Sequence, residues 1–171
     1  MRDPIEDLHR VGCPENVIEH CLAVRDLAVE MAERCDADVD VDLVEVGAIL
    51  HDIGRSKTHD LDHAVVGAEI VRELGYPEEV ARIVERHIGA GITAEEAREL
   101  GLPPKDYVPE TLEEKIVAHA DNLVFGTKRV PFRRVLDKFR SRLGPDHPSV
   151  RRLIELHEEL VGIDAVPPEL R

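Results

Sequence analysis

A chain of 171 residues has room for one domain whose core needs no disulfide staples. Its 43% hydrophobic content excludes a disordered chain, and with no Trp and 3% aromatics the core must be Val, Leu, Ile and Ala, which favours helix on helix. A net charge of −14 excludes a broad nucleic-acid-binding surface, but leaves room for a small phosphate ester held by a cation and one or two local basic side chains.

Pro14 suits the first turn of a helix whose apolar face runs through Val17, Cys21, Val24, Ala28 and Met31. His20 lies beside that stripe and is expected to point inward. A second helix, about 42 to 52, carries Leu43, Val46, Gly47 and Leu50 and ends at His51-Asp52, with Gly54 as its stop. A polar loop from Arg55 to Asp60 follows. Helical spacing resumes with His63, Val66, Gly67, Ile70 and Leu74, and Gly75 ends it. Pro77 starts a helix with Val80, Ile83, Val84 and His87 on one side. The stretch from Gly89 to Pro109 is broken by glycines and prolines around a short helical piece. Thr111 then caps a helix bearing Ile116, Val117, Ala120 and Asp121, with Glu114 completing a capping box. Two amphipathic helices, about 131 to 143 and 148 to 161, precede a Pro-rich tail.

No segment alternates with period two, and no repeat or linker divides the chain, so residues 1–171 read as one all-α domain. There is no apolar run of about 18 residues and no charged-then-apolar leader. Cys13, Cys21 and Cys35 are odd in number, lack CxxC spacing and read as reduced packing thiols. The expectation is a cytoplasmic protein with no membrane contact. Its oligomeric state stays open.

His20, His51, Asp52 and Asp121 each lie on, or at the end of, a core-facing stripe. Burying carboxylates there is costly unless something positive meets them, and a divalent metal removes the cost. The ligands are mixed nitrogen and oxygen donors, so manganese, iron, cobalt, nickel and zinc all suit them.

The order His…His-Asp…Asp, with Gly54 completing His51-Asp52-Ile53-Gly54, resembles the HD-domain superfamily of metal-dependent phosphohydrolases. Within it the chain is similar to the HDIG subgroup over about residues 14 to 125, as a small archaeal-type single-domain member. The pattern His63-Ala64-Val65-Val66-Gly67 looks like the family's His-xxx-Gly helix, and Arg86-His87 and Ala120-Asp121 match further family positions. The resemblance implies an HD-domain helical bundle in which His20, His51, Asp52 and Asp121 bind one metal. His63 and His87 become candidate ligands of a second, with Asp52 as the bridge, or partners of a phosphate. A second histidine often follows the one at 87 in two-metal members, and here Ile88 stands in that place.

The implied reaction is attack of metal-bound hydroxide on the phosphorus of a small ester: a nucleotide, cyclic phosphate or dinucleoside polyphosphate. Asp52 would orient the water, and His63 or His87 is suited to acid–base work near neutral pH. Arg55 and Lys57 follow the tetrad, and Lys128 follows Asp121, as candidate substrate contacts. Alternatives are a dinuclear-iron oxygenase of the same superfamily and a nucleotide-binding domain without chemistry.

Overall fold

The computed structural model describes residues 2–171. Helix α1 (Pro4–Arg10) was not anticipated by apolar spacing; Asp3 caps it by accepting from the Ile5 and Glu6 N–H groups, and Pro4 opens it. Helix α2 (Glu15–Arg34) buries the expected stripe, and α3 (Val41–Leu50), capped by Asp40, lies along it. Helix α4 (His63–Glu73) packs on α5 (Glu78–Glu85), and α5 packs back on α3. Helix α7 (Leu112–Asn122) closes over α2 and α3. Helices α2 and α3 serve two apolar clusters: Val24, Leu27 and Ala48 face one shared with α7 and the C-terminal helices. Cys21, Ile49 and Leu50 face the other, shared with α4 and α5. His20 and His51 fall where these clusters change over.

Gly54 is not the stop of α3. The helix ends at Leu50 with His51 as its C-cap, and the chain continues into a 3₁₀ turn, Ile53–Ser56, that contains Gly54. A Cβ on Gly54 would lie 1.8 Å from the His63 carbonyl oxygen and 2.8 Å from the Gly67 nitrogen. Gly67 answers it from α4, where a Cβ would lie 3.1 Å from the Gly54 nitrogen and 2.9 Å from Val84 Cγ1. The turn and α4 therefore meet backbone to backbone, which seats His63 against the end of α3.

The capping box also moves. Thr111 Oγ1 does accept from the Glu114 N–H, but the Glu114 carboxylate turns to the Glu110 N–H and to Arg86 Nη1, at 2.9 and 2.8 Å. A reciprocal box forms instead at Thr93 and Glu96, opening the short α6 (Ala94–Glu99) inside the Gly89–Pro109 stretch. The all-α reading holds, with one small addition. Strands β1 (Val124–Phe125) and β2 (Lys128–Arg129) pair antiparallel across Gly126, and Ile92 bridges Tyr107. Helices α8 (Phe132–Leu143) and α9 (Pro148–Gly162) follow. No helix among the described residues is long and apolar enough to cross a membrane.

Between α7 and α9 lies a buried polar chain. Asn122 Nδ2 donates to the Gly89 carbonyl and to His119 Nδ1, so His119 Nε2–H donates to His157 Nδ1, 2.9 Å away. Phe132 stacks flat on His157, ring centroids 3.6 Å apart. Burial, with a smaller push from His157, lowers His119 from 6.5 to about 3.

The folded chain thus holds His119 neutral, while the unfolded chain protonates it below 6.5. Its contribution to stability is complete above that pH and is lost as pH falls toward about 3. Melting temperature should fall between pH 7 and pH 4, and a His119→Gln variant should show a shallower fall in the same calorimetric series. Gly54→Ala should cost about 3 kcal/mol by urea denaturation, because the added methyl meets backbone. Gly67→Ala, which meets mainly the end of Val84, should cost less.

Candidate metal centre and substrate cleft

Four imidazoles are held in the same way. His51 Nδ1 lies 2.7 Å from the Ala48 carbonyl, His63 Nδ1 2.8 Å from Asp60, and His87 Nδ1 2.6 Å from Val84. His20 Nδ1 lies 2.6 Å from the Gly126 carbonyl in the hairpin. A carbonyl only accepts, so each Nδ1 carries the hydrogen and each Nε2 of a neutral ring is a bare lone pair. For His51 and His87 the acceptors are carbonyls in the last turn of α3 and α5; the Ala48 carbonyl also accepts the His51 backbone N–H, at 3.4 Å.

The four Nε2 atoms converge on the two oxygens of Asp52. Asp52 Oδ2 faces His20 Nε2 at 3.7 Å and His51 Nε2 at 3.6 Å. Those nitrogens also face Asp121 Oδ1, at 2.9 and 3.4 Å. Asp52 Oδ1 faces His63 Nε2 at 3.3 Å and His87 Nε2 at 3.2 Å, and the last two are 3.2 Å apart. Bonds of about 2.0–2.2 Å to one ion would separate its ligands by about 3.0–3.5 Å, close to these spacings. His51 Nε2 is fully buried without a hydrogen-bond partner. Lone pairs facing lone pairs and carboxylates repel unless a positive charge sits among them, so the donor set fits divalent cations.

In the chain alone, protons respond to the same field. Burial works to lower His51, yet Asp52 leads the charges that hold it well above the ordinary histidine range. Burial works to raise Asp52, but His51, then His63 and His87, hold it well below the ordinary carboxylate range. Asp121 is held low against burial by His51 and His20, while His87 is lowered by burial despite Asp52. The centre is a trap for positive charge.

A cleft of about 670 Å³ opens over it. Arg55 lines the cleft and touches Asp52 itself, with Nε 3.2 Å from Oδ2. Lys57 does not line it: its backbone closes the 3₁₀ turn onto the Gly54 carbonyl and its side chain stands exposed. Lys128 does not line it either, being exposed on β2 beyond the hairpin turn. The basic groups that do line it, besides Arg55, are Lys138 and Arg142 of α8, which sequence reasoning missed. Their signal was an i, i+4 cationic pair beside the i, i+4 apolar pair Phe139 and Leu143. Ile88 lines the cleft beside His87 and offers no donor atom, so the second group consists of the His63, His87 and Asp52 side chains.

Manganese or cobalt should raise the melting temperature of the metal-stripped chain, by the equivalent of about 2.7 kcal/mol at a hundred times Kd. Asp121→Ala should weaken this strongly, and His63→Ala should remove only a second, weaker phase in calorimetric titration. Cations displace protons from His51 and His20, both held above their ordinary range, so affinity should rise with pH across neutrality.

The HD domain family matches residues 17–126. The chain is 64% identical over 151 residues to the uncharacterized protein MJ0778 of Methanocaldococcus jannaschii, covering 86% of this chain and 89% of that one. It is 48% identical over 153 residues to a tRNA (cytidine(56)-2'-O)-methyltransferase of Thermoplasma volcanium, covering 90% of this chain but 44% of that longer protein. In fold it is similar to the HD domain of the L. monocytogenes phosphodiesterase PgpH, in a structure with cyclic-di-AMP, at a TM-score of 0.56, 20% identity and 94% coverage of both chains. With the family matched across the segments that supply all six converging side chains, this chain belongs to the HD domain family.

Proposed function

We propose that the chain is a metal-dependent phosphohydrolase of the HDIG type, acting on a phosphate ester such as a nucleotide, a cyclic phosphate or a dinucleoside polyphosphate. The observation that carries this reading is Asp52, whose two oxygens each face a separate group of Nε2 atoms beneath a cleft with basic walls. His20, His51, Asp52 and Asp121 would hold the first cation, and His63, His87 and Asp52 the second. A divalent cation in such a place lowers the pKa of a coordinated water and offsets the charge of a phosphate.

The chain's own groups do the rest. Asp52 is fixed by the surrounding imidazoles and by Arg55, so its orientation does not depend on substrate. Arg55, beside Asp52, offers charge to the phosphoryl oxygens, and Lys138 and Arg142 add positive charge along the cleft wall. In hydrolysis the oxygen of water bonds to phosphorus, the bond from phosphorus to the leaving oxygen breaks, and a proton passes to that oxygen. Lys138 Nζ has a proton to give, and burial, aided by Arg142, lowers its ammonium below the ordinary lysine range. With both cations bound, His63 and His87 would be engaged as ligands and free of acid–base duty. The matched region ends at residue 126, but α8 walls the same cleft, which supports one catalytic unit extending through α8. The relative named as a tRNA methyltransferase keeps nucleotide-containing esters first among the compounds to try.

The test is a chromatographic turnover screen of the metal-stripped chain reloaded with manganese, or with ferrous iron without oxygen. Turnover should require the metal and fall to background in Asp52→Ala. Arg55→Ala should lower turnover by about 10²-fold, as loss of a charge-stabilising donor does, whereas Lys57→Ala should leave it near the parent value. Metal-replete protein that turns over none of the esters, or that consumes oxygen with iron, would overturn the reading.

A further inference from the structure

The chain is strongly acidic, yet seven of its 22 Lys and Arg lie between residues 128 and 142, against one acid, Asp137. Three of the seven, Arg134, Lys138 and Arg142, fall at i, i+4 and i+8 of α8 and so share one face. That face meets the cleft, because Lys138 and Arg142 line it and Phe125, also in its wall, lies under Arg134 and Lys138 at 5.6 and 4.5 Å. Like charges at this spacing repel, and among the described residues none of the three has a carboxylate partner. With 36 acids in the chain, a cation row left unpaired beside a phosphate-handling centre is a place prepared for an outside polyanion.

The row also fixes the shape of that polyanion. Each step of four residues advances about 6 Å along the helix, so the row offers charge at regular intervals along the wall of the cleft. Apolar side chains share the cleft with it: Leu61 and Leu143 line it although 38% and 44% exposed, and Phe139 lines it too. Alternating charge and apolar faces suit a chain of phosphates carrying flat bases, while the acidic remainder of the molecule confines contact to this strip.

We infer that the substrate is a short single-stranded oligonucleotide, with Arg134, Lys138 and Arg142 holding phosphates next to the one at the metal centre and the leucines and Phe139 receiving bases. This deepens the phosphohydrolase reading and rests on it for the identity of the centre. The reaction is the hydrolysis already written: water adds to phosphorus, the bond to the ribose oxygen breaks, and the proton ends on that oxygen.

The experiment is fluorescence anisotropy with fluorescein-labelled, nuclease-resistant phosphorothioate oligoadenylates of increasing length, ribose and deoxyribose, on the manganese-loaded chain. Affinity should rise at least tenfold between the dinucleotide and the tetranucleotide and then level off. Arg134→Ala/Arg142→Ala should abolish that rise and flatten the plot of log K against log salt by about 0.7 for each phosphate no longer neutralised. A thermal melt of the variant checks that it folds, and single substitutions replace the double if it does not. Equal affinity for all lengths, an unchanged salt slope, or equally tight binding of polyglutamate would overturn the inference. Turnover of bis(p-nitrophenyl) phosphate by the parent chain, run in parallel, tests the centre alone. Turnover without length dependence removes the strip and keeps the hydrolase; length dependence without turnover does the reverse.

Discussion

The fixed direction of four imidazole rings is the constraint on which the centre depends. Three of them are tied by Nδ1 to the carbonyl three residues back, a bond made within the same stretch of chain. Ring orientation is therefore settled by local backbone, and the exposed chemistry, the Nε2 lone pair, is aimed before any ligand arrives. Asp52 can then divide its two oxygens between the groups because both sides are already rigid. The same arrangement leaves buried charge that the protein alone balances only with protons.

The ring at 63 can take part only because α4 comes within backbone distance of the Ile53–Ser56 turn. Gly54 and Gly67 make that approach possible, one on each side of the contact. The tetrad is thus two devices joined in sequence: two side chains that face the centre, and a glycine that lets a third ligand reach it. A core of Val, Leu, Ile and Ala suits this geometry, since helices without large aromatic side chains close together tightly.

The parts legible in sequence were those encoded locally. Helical spacing located α2 through α5 and α7 to α9 within a few residues, and the order of His20, His51, Asp52 and Asp121 identified side chains that do converge. The residues misjudged were those placed by tertiary structure. Lys57 and Lys128 are near the proposed ligands in sequence, but the turn and the hairpin carry them out of the cleft. Lys138 and Arg142 are distant in sequence and are returned to the cleft by α8. Helix α1 has too few residues for periodicity to register, and only Asp3 before Pro4 signalled it. Glu114 had the spacing of a capping box, but Arg86 and the Glu110 N–H claimed its carboxylate. Gly54 was read as a helix stop because a glycine's neighbour across space leaves no mark in sequence.

His20 differs from the other three rings, since its anchoring carbonyl belongs to Gly126, 106 residues away. The local ties can form as their helices form, whereas bringing position 20 to position 126 closes a loop whose entropy cost is on the order of 4 kcal/mol. A cation seated between His20 and Asp121 would act as a clasp on that closure, slowing its reopening far more than it speeds its formation. Resistance of the loaded chain to proteolysis would then track how long the clasp stays shut.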